Sequence, residues 1–274
     1  MPSPTLLTVT STEQLTPHLV RVHFTGDLAH FAESSETDRY VKLIFKQPGV
    51  DYPEPLDMKA LRATLPADQL PVVRTYTVRT LDVAAGSLSI DFVVHGDDGV
   101  AGPWAAAAAT GDELLANGPG GGYAPRAEAD WHLLACDEAG LPAVAAAIDA
   151  LPDDAVARVL VEVAGEDDVI ELDEGANVEV TWLLRGAPSH DVPDERAGRN
   201  APLVQAVRDL EWLPGTVQVF VHGEAAAVMH GIRPFLFTER GLAREAVSIS
   251  RYWRRGRTEE GFREWKQELA RAEG

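Results

Sequence analysis

Two hydrophobic rhythms divide this chain of 274 residues, and no single layer of structure accommodates both. In the first half, short β-branched and aromatic runs recur at Leu6 to Thr10, Leu19 to Thr25, Val41 to Phe45, Val72 to Thr80 and Leu88 to His95. Val20, Val22 and Phe24 alternate with polar neighbours, the period of a strand with one buried face. Thr25-Gly26-Asp27, Gln47-Pro48-Gly49 and Ala85-Gly86-Ser87 separate the runs and are turn formers. Many short strands parted by turns predict an antiparallel β-barrel. Residues 50–70 hold several prolines and read as a long loop. Residues 118–122, Gly-Pro-Gly-Gly-Gly, read as an irregular loop followed by Arg126.

The second rhythm begins after residue 128. Trp131 to Cys136 is a continuous apolar run, as in a strand buried on both faces. Asp137-Glu138-Ala139-Gly140 is a turn, and Pro142 sits in the first turn of a helix that buries Leu141, Val144, Ile148 and Leu151. Strands at Val159 to Val163, Val178 to Leu184, Val217 to Val221 and Val247 to Ile249 alternate with helices at Ala201 to Leu210 and after Gly223-Glu224, the latter carrying Met229, Ile232 and Phe235. This alternation predicts a mainly parallel open α/β sheet. The expected organisation is therefore a β-barrel domain over 1–128 and an α/β domain over 129–274 with a C-terminal helix. Ligands of such sheets bind at the carboxyl ends of the strands, here Asp137-Glu138, Gly165-Glu166, Arg185-Gly186 and Gly223-Glu224. No G-x-G-x-x-G follows the first strand, so a tightly held dinucleotide of the standard kind is not expected, whereas a transient nicotinamide nucleotide fits.

Bulk charge removes whole classes of partner. A formal charge of −19 opposes a phosphate backbone or an anionic membrane surface. No run reaches about 20 apolar residues, so no membrane span is expected. The start has no basic, apolar leader pattern, which makes the cytoplasm the expected compartment. Cys136, the one cysteine, reads as a small buried core residue. The eight histidines lack metal-ligand spacing, so no protein-held metal is expected. From Asp153 to Glu179 there are ten acids against one base, Arg158, which reads as a solvated acidic face. A monomer is expected because no interface stripe stands out. The tail is different: Arg251, Arg254, Arg255 and Arg257 surround Tyr252-Trp253, followed by a helix from Thr258 with Phe262, Trp265 and Leu269 on one face. Two readings of these arginines stand side by side, a site for a bulky anion and surface salt bridges to the acidic run.

The chemistry-bearing stretch is Arg74-Thr75-Tyr76-Thr77-Val78-Arg79. On a strand, Arg74, Tyr76 and Val78 share one face and Thr75, Thr77 and Arg79 the other. A ring that stacks, hydroxyls that hydrogen-bond a heteroaromatic edge and a guanidinium that pairs with phosphate suit a planar anionic ligand. An ordinary strand with two exposed arginines is the competing reading. Downstream, the strand Asp91-Phe92-Val93-Val94-His95 runs through Gly96, Gly99, Ala101 and Gly102 into Trp104 and a polyalanine helix. Unpaired amides at such a start can cradle a diphosphate.

In this order, Arg74-Thr75-Tyr76-Thr77, His95-Gly96-x-x-Gly99 before Trp104, Gly118-Pro119-Gly120-Gly121, Cys136-Asp137-Glu138 with Leu141-Pro142-Ala143, His222-Gly223-Glu224 and Tyr252-Trp253-Arg254-x-Gly256 resemble siderophore-interacting proteins. These are FAD-containing ferric-siderophore reductases of the ferredoxin–NADP reductase superfamily. The resemblance implies that Arg74, Thr75, Tyr76 and Thr77 hold the flavin and its phosphates, with the backbone of Asp91, Phe92, Val93, Val94 and His95 alongside. It implies that the turn from Gly99 through Ala101 and Gly102 to Trp104 holds the diphosphate, and that Asp137 faces the flavin or nicotinamide. Basic residues would meet an anionic ferric siderophore: Lys42 (or Lys46), Arg126 and Arg254 (or Arg251). Two departures bear on side-chain contacts: Gly102 stands where the family often has serine, and Ala139-Gly140 where it often has threonine and alanine.

The implied activity is electron transfer from NADH or NADPH through FAD to ferric iron in a siderophore, releasing ferrous iron. Competing readings are a flavin-dependent oxidoreductase with another acceptor, such as a quinone or ferredoxin, and a non-catalytic ferric-siderophore binder. An electron-carrier protein such as ferredoxin is also a conceivable donor in place of nicotinamide.

Overall fold

The computed structural model describes residues 4–96, 99–173 and 175–256. The chain forms two compact units, Met1–Gly122 and Tyr123–Gly274. The helix expected from Thr258 onward lies outside the described residues, as does Arg257.

Six strands build the first unit: β1 (Thr5–Thr16), β2 (Leu19–Gly26), β3 (Tyr40–Phe45), β4 (Val72–Asp82), β5 (Ser87–Val93) and β6 (Glu113–Gly120). They close into an antiparallel barrel in the order β1-β2-β5-β4-β3-β6. Alternation sends Leu7, Val9, Val22, Phe24, Val41, Leu43, Ile90 and Phe92 to the interior, where all are buried. Burying apolar surface at roughly 25 cal/mol per Å² is what holds such a barrel closed.

Two stretches depart from the sequence expectation. Within 50–70 a helix, α1 (Met58–Thr64), interrupts the expected loop. Asp57 caps it, its Oδ1 accepting from Lys59 N at 2.8 Å and Ala60 N at 3.2 Å. Leu61 then buries against Ile44 and Leu56 on the outside of β3. The prolines flank the helix rather than break it. Residues 118–120, expected to be irregular, end β6, which pairs with both β1 and β3. Its composition is poor for a strand, but β1 and β3 each present an edge that needs a partner. Gly120 is required there, because a Cβ would collide with the ring of Tyr40.

The second unit is a five-stranded, wholly parallel sheet of β7 (Trp131–Asp137), β8 (Ala157–Val163), β9 (Val178–Leu184), β10 (Val217–Glu224) and β11 (Val247–Trp253). Their order is β11-β10-β7-β8-β9. Helices α3 (Leu141–Asp149) and α4 (Pro202–Asp209) and the π-helical segments Ala227–Ile232 and Phe235–Glu239 accompany it. β10 and β11 run longer than expected, so Glu224, Tyr252 and Trp253 belong to strands. Strand order reverses between β7 and β10, which makes the carboxyl ends of these two strands the place for a crevice.

If the Asp57 cap stabilises α1 as its geometry indicates, Asp57→Ala should cost the barrel about 1 kcal/mol. The urea midpoint of the first unit's transition would fall with no change in slope.

Candidate functional site

In the barrel, Arg74 and Tyr76 lie opposite the interior residues Leu43 and Val41 of β3. Both are half-buried, Thr75 is exposed and Thr77 is buried. The ring of Tyr76 packs 4.5 Å from that of Phe92. A register shift between Val78 and Thr80 ends the alternation, leaving Arg79 half-buried.

Helix α2 (Ala101–Ala107) follows β5. Trp104 packs on Phe92 at 5.9 Å, on Phe45 at 5.8 Å and on Phe24 at 6.3 Å. One buried ring, Phe92, thus supports both the Arg74–Tyr76 strand and the α2 turn. Phe92 lies inside the core, and the Asp91 carboxylate is committed to a bidentate pair with Arg21 at 2.6 and 2.8 Å. What these two positions offer outward is backbone. Val93, Val94 and His95 are half-buried.

The bend is shaped by glycine. Gly96 and Gly99 have φ of 55° and 81°, values that favour glycine. A Cβ at Gly102 would meet Val93 O at 3.3 Å, so the helix start lies tight on the end of β5. The first-turn amides of Ala101 and Gly102 have no intrahelical acceptor, and Pro103 has no N–H to satisfy. A close-lying glycine backbone with free amides, beside a strand carrying arginine, tyrosine and threonine, fits a flavin dinucleotide.

The second unit concentrates buried charge at the sheet's carboxyl edge. Asp137, at the end of β7, is buried and accepts from four N–H groups. Its Oδ1 receives Ala139 N at 3.0 Å and Gly140 N at 3.3 Å. Its Oδ2 receives Glu224 N at 2.8 Å and the Trp253 indole Nε1 at 2.8 Å. Burial, with Glu138 beside it, nevertheless pushes its carboxyl up to about 7.

Beyond it, Arg185 donates to Glu162 Oε1 at 2.8 Å and pairs with Glu138 through two nitrogens. Glu162 Oε2 in turn accepts Leu203 N at 2.8 Å at the start of α4. Glu224 accepts the amides of Ala226 and Ala227 at 2.7 and 2.9 Å, and Arg255 N at 3.4 Å. Asp137, Glu162 and Glu224 line a pocket with Arg185, Arg196 and Arg255 in its wall.

Glu162 was not legible as a site residue, and Trp253, singled out within the basic and aromatic tail, was not foreseen as a partner of Asp137. Glu162 falls inside the run read as a solvated acidic face; Asp153, Asp154, Glu166, Asp167, Glu171, Asp173 and Glu179 are exposed as expected, but Glu162 and Asp168 are buried, which corrects that reading at these two positions. The available signal was an acid within the apolar run Val159 to Val163. Arg255 pairs with Asp194 at 2.8 Å and with Val192 O, so its charge is already engaged. Cys136 is fully buried, and its thiol is pushed up by burial and by Asp137, Glu138 and Glu162, which makes it inert.

His222, near the end of β10, is buried between Phe220 at 4.1 Å and Tyr252 at 4.4 Å. Burial pushes its imidazole down to about 3.

The expected chelate-binding residues divide between the units. Lys42 is exposed on the outer side of β3, opposite Thr75, while Lys46 pairs with Glu54 at 3.7 Å. Arg126 is exposed, with its backbone N donating to Gln218 Oε1 at 2.7 Å. Arg254 is half-buried beyond β11, and Arg251 half-buried within it. Among the described residues no group of three or more His, Cys, Asp or Glu is arranged to hold a metal ion. No described helix is long and apolar enough to cross a membrane.

A closed barrel followed by a five-stranded parallel sheet is a two-domain arrangement also found in solved reductase structures. A ferredoxin NADP+ reductase from Neisseria gonorrhoeae, with FAD and NADP bound, shares the fold at a TM-score of 0.62 over 92% of this chain and 99% of that chain; at 14% identity this is a likeness of fold alone.

Residues 8–123 match the siderophore-interacting FAD-binding domain and residues 129–256 the siderophore-interacting protein model, so the chain belongs to the siderophore-interacting protein family. Residues 8–123 are therefore an FAD-binding domain. A ferric vibriobactin reductase of Vibrio cholerae is 30% identical over 262 residues, 95% of this chain and 93% of that protein. An NADPH-dependent ferric-chelate reductase of Escherichia coli is 33% identical over 191 residues, 68% of this chain and 73% of that protein. The crystal structure of a siderophore utilization protein from T. fusca superposes with a TM-score of 0.75 at 36% identity, covering 92% of this chain and 93% of that one.

Two outcomes follow for the second unit. Arg185→Met strands two buried carboxylates and should cost about 3–5 kcal/mol; adding Glu138→Gln and Glu162→Gln should recover part of it, read by chemical denaturation. His222 sets a pH response. Its folded value lies below the unfolded value of about 6.5, so stability is lost as pH falls below that point towards the folded value near 3. His222→Phe should flatten the acid limb by up to about 1.4 kcal/mol per pH unit, measured by denaturation between pH 6.5 and 4.

Proposed function

We propose that this protein is an FAD-dependent reductase that passes electrons from NADH or NADPH to ferric iron held in a siderophore, freeing ferrous iron in the cytoplasm. The observation that carries this reading is the packing of both Tyr76 and Trp104 on Phe92, which brings the Arg74–Thr77 strand and the Gly99–Trp104 bend together in a domain of the FAD-binding family. Arg74, Thr75, Tyr76 and Thr77 hold the flavin and its phosphates. The backbone from Asp91 to His95 flanks it, and the amides from Gly99 to Gly102 take the diphosphate.

When bound, FAD accepts two electrons together and returns them singly, matching a hydride donor to a one-electron ferric acceptor. The protein's own residues bind, orient and exclude water, and no acid–base pair is required. The nicotinamide nucleotide is met by the carboxyl edge of the parallel sheet, with Asp137 fixing the turn that faces it. Lys42 in the first unit, and Arg126 and Arg254 in the second, supply positive charge for the anionic chelate within an acidic protein. The names borne by the Vibrio cholerae and Escherichia coli relatives support this acceptor class, and the latter supports NADPH as donor. The functional domains are taken as 1–128 and 129–274.

Purified protein should be yellow. Without oxygen, NADPH or NADH should bleach it, and a ferric siderophore should restore the colour while a ferrous-specific chelator registers iron. Bleaching by nicotinamide with recolouring only by a quinone or ferredoxin would move the acceptor elsewhere; a colourless, folded wild type would leave a simple binder. Arg74→Ala with Tyr76→Ala should give folded protein that has lost most of its flavin, and retention of stoichiometric flavin would count against the assigned roles.

A further inference from the structure

His222 poses a problem that the packing around it does not solve. It is 1% exposed, and neither Nδ1 nor Nε2 has a hydrogen-bond partner among the described residues. It is the one described imidazole with both nitrogens in that state. A buried polar atom without a partner costs about 1–3 kcal/mol, and a phenyl or isobutyl side chain would fill the same space without that penalty. Such a group is sustained where a ligand supplies the missing partner.

The surroundings indicate which ligand. His222 lies one residue before Gly223, next to Cys136 in the β7 register, at the switch point of the sheet. Its floor is tight: a Cβ on Gly140 would meet His222 O at 2.8 Å and its Cβ at 3.0 Å. Phe220 and Tyr252 pack on its ring, and Tyr123 stacks on Phe220 at 4.1 Å, so the imidazole belongs to a file of flat rings. Of these rings only Tyr252, on the edge strand β11, is partly exposed. Tyr252 is thus the member of the file that packs on the imidazole from the edge strand. A neutral imidazole presents one N–H donor and one bare nitrogen acceptor. A carboxamide on a flat heterocycle presents the reverse set, a carbonyl acceptor and an NH2 donor, on a ring that stacks.

We propose that His222 is the positioning residue for the nicotinamide ring, hydrogen-bonding its carboxamide once Tyr252 swings aside. This rests on the reading that the second unit takes a nicotinamide nucleotide, and it adds which residue reads the ring. His222 does not touch the reacting carbon in this account. It fixes the rotation of the ring through the carboxamide.

The test compares two probes on full-length, flavin-loaded protein by calorimetric titration: NADP+, which carries the ring, and 2′-phospho-ADP-ribose, which lacks it. His222→Phe should weaken NADP+ at least tenfold and leave 2′-phospho-ADP-ribose unchanged. His222→Gln, which keeps a donor and an acceptor, should recover part of the loss and serves if the phenylalanine variant fails to fold. If His222→Phe, or His222→Gln in its place, binds NADP+ like wild type, or weakens both probes equally, the assignment of His222 falls and the nicotinamide reading stands. Wild-type protein that binds neither NADP+ nor NAD+ overturns the nicotinamide reading and this assignment with it.

Discussion

The arrangement of the second unit depends on one carboxylate. Asp137 ends β7, and its two oxygens gather amides from its own turn, from the end of β10 and the indole from the end of β11. Three chain segments that meet nowhere else in sequence are thereby tied at one point. The four donors offset part of the cost of burying the carboxylate, and what remains raises its carboxyl to about 7. Without the carboxylate those donors would be the orphans. Gly223 can come so near only because it has no side chain; a Cβ there would sit 2.9 Å from Asp137 Oδ2. The Glu138–Arg185–Glu162 group extends the same principle outward, ending on the first turn of α4. The pocket wall thus combines buried polar groups with Ala201, Leu203 and Ala227 of the apolar core.

The barrel solves a different problem. It must hold an aromatic ring and an anion-binding bend in fixed relation while its own strands stay closed. Phe92 does this from inside, touching both Tyr76 and Trp104. The outward-facing chemistry is therefore only as well placed as the core beneath it, and Asp91, paired to Arg21 one residue earlier, pins the same strand to β2.

Much of this was legible in the residue order. Val20, Val22 and Phe24 announced a strand by period, and the apolar run from Trp131 announced a doubly covered one. The glycines around Trp104 marked the bend because only they tolerate its backbone. What escaped detection had long-range causes. Residues 113–120 form a strand through two distant partners, not through their own propensity. Helix α1 was hidden among prolines, although Asp57 was a readable cap. Glu162 looked like one acid among ten, because charge patterning does not reveal an arginine lying well downstream at Arg185. His222 could be placed at a strand end from sequence, but not its lack of partners, which is a property of packing.

The closing seam of the barrel joins Thr5 to Ala116 and so spans nearly the whole of the first unit. Such a contact is among the most non-local the unit makes, and non-local pairings form slowly. During synthesis the first five strands must wait for a glycine-rich sixth, with the edges of β1 and β3 bare in the meantime. A nascent chain stalled before residue 113 would therefore expose two sticky strand edges, open to pairing with another chain.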